Sequence, residues 1–156
     1  GGAKGAATNL ITNAGFENGP APWAMTGGAT IVADGPLEGV SAAKLKGKGR
    51  VEQTVTVKPN TTYVLSAWVN VPGTNMKNIW QNAWLGVEGH GSAEVRRQFF
   101  RPDYSRLGLQ FRTAENVTDV KVFVTNDRSG HGAHADRFEL YEAPILGETV
   151  DVDTPE

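Results

Sequence analysis

The chain has 156 residues and a mass of 16.7 kDa, the size of one domain with enough length to bury a core. Hydrophobic residues make up 39% and glycine occurs 19 times, a balance that suits short strands and tight turns better than a helical enzyme. Cysteine is absent and the formal net charge is −2, which excludes thiol catalysis, zinc–thiolate sites and iron–sulfur clusters, and no apolar run reaches membrane-spanning length.

In chain order, Gly1-Gly2-Ala3-Lys4-Gly5-Ala6-Ala7 reads as a flexible linker or cloning remnant. Short strands fit residues 9–11, 30–33 and 41–46. Residues 51–57 alternate strictly and stop at Pro59-Asn60, a turn signal. Residues 61–71 are β-branched and aromatic, and Pro72-Gly73 ends them. Further strands are predicted over 83–87 (closed by Gly89-His90-Gly91), 94–99, 106–112, 119–124 and 133–141. From Ala143 the chain is acidic, with Pro144 and Pro155, so residues 143–156 read as an acidic linker and 8–142 as the globular unit. The pattern predicts an all-β, antiparallel β-sandwich of the jelly-roll type. Two basic runs, Lys44-Lys46-Lys48-Arg50 and Arg96-Arg97-Arg101-Arg106, are too sparse for nucleic acid and have no recognition helix to carry them. Their default reading is a solvated sheet face.

Four motifs then appear in a recognisable order: Asn9-Leu10-Ile11-Thr12-Asn13-Ala14-Gly15-Phe16-Glu17-Asn18-Gly19 followed by Trp23; Gln53-Thr54-Val55 through Pro59-Asn60 to Trp68-Val69; Leu85-Gly86-Val87-Glu88-Gly89-His90-Gly91; and Ser129 to Leu140 with Asp136. Together they resemble the jelly-roll carbohydrate-binding modules of the galactose-binding-like superfamily. The resemblance implies a non-catalytic, secreted module. It would bind a polysaccharide or oligosaccharide and hold a catalytic domain of the same parent chain on that polymer, with neither nucleic acid nor membrane as partner. It also implies a structural Ca²⁺ held by Glu17 and Asp136 with backbone carbonyls, Ser41 of Gly39-Val40-Ser41 being a further ligand; calcium accepts such irregular oxygen sets. Where those modules carry Tyr in Gly-rich loops, this chain has His90, His131 and His134.

The residues themselves suggest where a sugar would sit. A pyranose needs a flat apolar platform and polar groups for its hydroxyls. Alternation places Val64, Ser66, Trp68 and Asn70 on one face of their strand, and Trp84, Gly86 and Glu88 on one face of the next. If Leu65 and Leu85 face the core, Trp68 and Trp84 share the outer face of adjacent strands, with Arg96 and Gln98 beside them. Trp80, in the polar connection 75–82, offers a loop site instead, and Trp23 caps the core. His90 is a ring or hydrogen-bonding candidate in the same region. His131 and His134, three apart and off any helix, match no zinc spacing. The arginine-bearing segment 96–106 points to an acidic glycan, uronate or sulfated, because guanidinium suits carboxylate and sulfate.

Two other functions fit less of the sequence. A structural or protein-interaction sandwich would bury most of its tryptophans. A small lyase or hydrolase would need paired carboxylates from Glu52, Glu88 and Glu94, or a Tyr104 or His90 base with Arg97 or Arg101 neutralising a uronate. No local motif marks either arrangement.

Overall fold

The structure, a computed structural model, describes residues 8–33, 36–37, 39–72, 83–99, 101–126 and 132–143. Its elements are eight strands: β1 (Ala24–Val32), β2 (Ala42–Thr56), β3 (Thr62–Asn70), β4 (Ala83–Glu88), β5 (Val95–Phe99), β6 (Ser105–Arg112), β7 (Asp119–Asn126) and β8 (Ala133–Glu142). All pairs are antiparallel and follow the order β5-β4-β7-β2-β8-β3-β6, with β1 along β2.

The 15-residue β2 is the hinge of this arrangement. Its first part pairs with β8 through Ala43–Leu45, and its second part pairs with β7 through Arg50–Thr56. The path therefore folds into two layers, β5-β4-β7-β2 and β2-β8-β3-β6. Where β1 and β2 turn the corner, the register slips between Thr26 and Gly28. Gly27 has φ +61°, and a Cβ there would lie 2.5 Å from the Lys48 carbonyl oxygen; a Cβ on Gly28 would collide with the Lys46 carbonyl. Only glycine lets the two backbones approach this closely while bending.

Alternation delivers the core. Val51 and Val55, Leu85 and Val87, and Val120, Val122 and Val124 point inward from the first layer. Tyr63, Leu65, Ala67 and Val69, Leu109 and Phe111, and Phe138 and Leu140 meet them from the second. Gln53 occupies a core-facing position yet is satisfied, because its amide exchanges two 2.9 Å hydrogen bonds with the backbone N–H and C=O of Thr12. That pairing fastens the N-terminal segment to the sandwich.

The sequence reading differs from the structure at three strands. Residues 9–11 form no strand; Asn9 instead uses its side chain as a strand substitute, donating to Phe138 O (2.9 Å) and accepting from Leu140 N (3.0 Å). β1 begins at Ala24 rather than residue 30, and residues 41–46 and 51–57 are one continuous strand. Both differences arise at the glycine corner, which reads as a turn but is paired throughout. Trp23 caps the core as expected, its ring tilted against Phe16 (4.9 Å between centroids) and Phe138 (4.7 Å), with its Nε1–H on Asn13 O (2.8 Å).

Candidate functional site

The outer face of the first layer is a grid whose rows follow the strand register. One row runs Gln98–Trp84–Thr125–Arg50 and the next runs Arg96–Gly86–Phe123–Glu52. A third sets Glu88 beside Lys121 and Thr54. Trp84, Arg96, Gln98 and Glu88 thus come together on one face, as the alternation predicts. Trp84 is half-buried, its ring flanked by the cross-strand pair Gln98 and Thr125, with the Arg96 guanidinium 5.4 Å from the ring. Its Nε1–H is buried without a hydrogen-bond partner, so the ring offers an apolar surface rather than a donor.

Phe123, Arg50, Glu52, Thr125 and Lys121 complete the face; of these the sequence singles out only Glu52, as a carboxylate of the hydrolase alternative, and none as a sugar contact. Phe123 is fully buried although it points away from the core. Its ring lies across Gly86, where any Cβ would collide with it, and Arg50 covers it at 3.9 Å. The only signal in the sequence is the alternation Lys121–Phe123–Thr125 between core valines, beside a glycine on the neighbouring strand.

Every cation on this face has an acidic partner. Arg50 bonds Glu52 (2.7 Å) and Glu88 (2.9 Å), Lys121 bonds Glu52 (3.3 Å), and Arg96 bonds Glu94 (2.6 Å). Partial burial works upward on the Glu52 carboxyl, but the hydrogen bonds from Arg50 and Lys121 outweigh it and hold Glu52 below the ordinary glutamate range. For Arg50, burial works downward, and the Glu52 and Glu88 bonds outweigh it, raising the guanidinium further. The result is a polar face on which Arg50, Lys121 and Arg96 are each paired with a carboxylate.

Two sequence candidates lie elsewhere. Trp68 does not share this face: β3 pairs with β6 and β8, β4 pairs with β5 and β7, and the two tryptophans stand on opposite outer surfaces. The expectation assumed that consecutive strands are neighbours, whereas the β3–β4 connection crosses between layers. His90 is 3% exposed with its ring against Phe111 (5.6 Å, edge-on), so it packs inside the end of the sandwich and cannot meet a surface ligand. His134 bonds Asn70 Oδ1 through Nδ1 at 3.0 Å. Phe111 pairs with Tyr63 and His134 with Asn70, seven residues or about 23 Å along β3, which keeps His90 and His134 apart. Trp80 and His131 lie outside the described residues.

On the second layer's outer face, Asp136 is fully buried. Its Oδ2 accepts from Leu37 N (3.0 Å) and its Oδ1 from Arg137 N (2.9 Å). Glu17 accepts from Val40 N (3.1 and 3.2 Å) and Ser41 N (3.0 Å). A Cβ on Gly15 would meet Asp136 Oδ1 at 3.5 Å and the Glu17 Cγ methylene at 3.9 Å, whereas the Glu17 carboxylate lies against Gly39. Burial, then the charge of Asp136, pushes the Tyr104 phenol well above its usual range, which disfavours the phenolate that a lyase base requires. Among the described residues no three acidic or histidine side chains cluster around one point.

The antiparallel sandwich thus presents a half-buried aromatic ring among paired charges on one outer face. The chain belongs to a carbohydrate-binding family: the family model CBM_4_9, a carbohydrate binding domain, matches residues 8–126. It is 36% identical over 145 residues to exochitinase 1 of Streptomyces olivaceoviridis, covering 88% of this chain and 22% of the enzyme, so it spans about a fifth of that relative. Among solved structures it is similar to a family 16 carbohydrate-binding module (28% identity, TM-score 0.72, covering 86% of this chain and all of that one). It shares its fold with a module solved in complex with β-1,4-galactotriose (20%, TM-score 0.69, 88% and 100%) and with a xylan-binding domain from Paenibacillus barcinonensis (17%, TM-score 0.67, 90% and 97%).

Proposed function

We propose that the outer face of β5-β4-β7-β2 binds a neutral glycan of the chitin type, a β-linked N-acetylated polymer, and keeps a tethered catalytic domain of a secreted enzyme on it. The observation that carries this reading is the Trp84 row: one half-exposed aromatic ring with Gln98 and Thr125 on either side, in a face whose Arg50, Lys121 and Arg96 are each paired with a carboxylate. Stacking holds the C–H face of a sugar ring, and fixed amide, guanidinium and carboxylate groups meet its hydroxyl and acetamido groups. The exochitinase relative supports the choice of polymer. The module contributes effective concentration rather than chemistry, a role supported by Glu52, Glu88 and Glu94, each committed to an arginine. The acidic glycan expected from the arginine-bearing segment does not suit this face, where Arg96 already has Glu94. Pull-down on insoluble chitin tests the proposal. Binding should persist as salt is raised several-fold, because the ligand is uncharged; retention of the chain only at low salt, or none, would overturn it.

A structural Ca²⁺ between Glu17 and Asp136 is part of the proposal. What supports it is the buried Asp136 carboxylate beside Gly15 and, two residues on, Glu17, whose carboxylate receives the Val40 and Ser41 N–H groups; backbone carbonyls would have to supply the remaining oxygens. The ion would tie the 36–41 segment to β8. Calcium should raise the melting temperature and EDTA should lower it, as ligand-linked stability requires; identical melting in both removes the ion from the account.

A further inference from the structure

The grid ends at β5, but the polar surface continues. β5 and β6 close the two ends of the strand order, so no ladder joins them. A groove of about 330 Å³ opens between their edges, and Arg97, Gln98, Phe99, Arg101, Ser105 and Arg106 line it. Arg97 spans the gap, its Nη1 donating to Gly108 O of β6 at 3.0 Å. That bond uses one of the five N–H groups a guanidinium offers. Arg106 reaches Glu139 through Nη2 at 3.1 Å, while Arg101 stands exposed in the turn between the strands. No carboxylate is among the groove's lining residues.

The contrast with the neighbouring face is one of charge. There Arg50, Lys121 and Arg96 each have an acid; here, among the described residues, Arg106 has Glu139, which Arg137 also approaches at 3.7 Å, and neither Arg97 nor Arg101 is paired with a carboxylate. We propose that this groove is a second binding site, an anion subsite that takes the carboxylate or sulfate groups of an acidic polysaccharide. Guanidinium groups offer paired N–H donors to either anion. Gln98 belongs both to the Trp84 row and to the groove, so a glycan leaving the platform across β5 passes directly into it. Nucleic acid fits less well: base stacking needs exposed aromatic rings, and the aromatic of this groove, Phe99, is buried.

Calorimetric titration of the folded chain with oligogalacturonate and with a sulfated galactan oligosaccharide tests the site and separates the two anion sources. At low salt at least one should bind, weakening as salt rises. The double variant Arg97→Gln/Arg101→Gln should lose about tenfold in that affinity while binding a neutral chito-oligosaccharide as the parent does, which also shows that it folds. The proposal is overturned if neither acidic ligand binds, if the double variant binds them undiminished, or if a single-stranded oligonucleotide binds as tightly as the better glycan. The reading of the Trp84 face stands or falls separately, on the neutral ligand.

Discussion

The sandwich carries a half-buried tryptophan on each outer surface, and their surroundings differ. Around Trp84 the neighbours are side chains of a flat sheet, with cross-strand partners on both sides. Around Trp68, on the other layer, the same strand register brings in Asp136, whose carboxylate accepts from Leu37 N. Among the described residues, one surface sets Trp84 in a grid of side chains, whereas the other sets Trp68 beside a buried carboxylate that is bonded to the Leu37 backbone.

The largest expected effect of breaking this contrast falls on the Trp68 side. Asp136→Ala leaves the Leu37 and Arg137 N–H groups without their acceptor, and the loss should be about 3 kcal/mol of unfolding free energy in urea titration. Glycan affinity at Trp84 should change little. Gly86→Ala strikes the Trp84 side from beneath: the added methyl displaces Phe123, whose ring occupies that space. A destabilisation of about 1–3 kcal/mol is expected for such overpacking, accompanied by weaker glycan binding because Arg50 loses the ring it covers. Unchanged glycan affinity in a destabilised Gly86→Ala would show that Phe123 does not support the platform.

The smallest effect concerns the charge balance. Glu52 is depressed below the ordinary glutamate value of 4.5, so its contribution to stability is full above that value and disappears as pH falls through the lower folded value. Arg50→Met removes the main source of that depression. The parent should exceed the variant in stability at neutral pH by no more than about 1 kcal/mol, and the gap should shrink in acid. A gap that widened below pH 4.5 would contradict the assigned pairing.

Most strands and the inward set were legible because alternation is a local property: Leu85 and Val87 must face opposite to Trp84 and Glu88 whatever the topology. The pairing of β4 with β5 was legible too, since their connection is short. Other features depend on partners distant in sequence. Trp68 and Trp84 were set on one face because nothing local reveals that the β3–β4 connection changes layer. Nothing local marks Phe123 as an outer-face residue that is nonetheless buried, because it is Gly86, 37 positions earlier, that makes room for its ring. His90 looked like a loop residue, yet the edge of Phe111 draws it into the end of the core. The N-terminal motif was recognisable for a structural reason: Asn9, Asn13, Phe16 and Glu17 each close a contact to a distant part of the chain or to the turn they sit in.

The central claim is that the ligand surface is the Trp84 face and not the Trp68 face. Titration of the parent, Trp84→Ala and Trp68→Ala with a soluble chito-oligosaccharide addresses it most directly. The account predicts at least a tenfold loss, about 1.4 kcal/mol, in Trp84→Ala and parent-like affinity in Trp68→Ala. Loss in Trp68→Ala with full binding in Trp84→Ala would contradict it and move the site to the opposite surface of the sandwich.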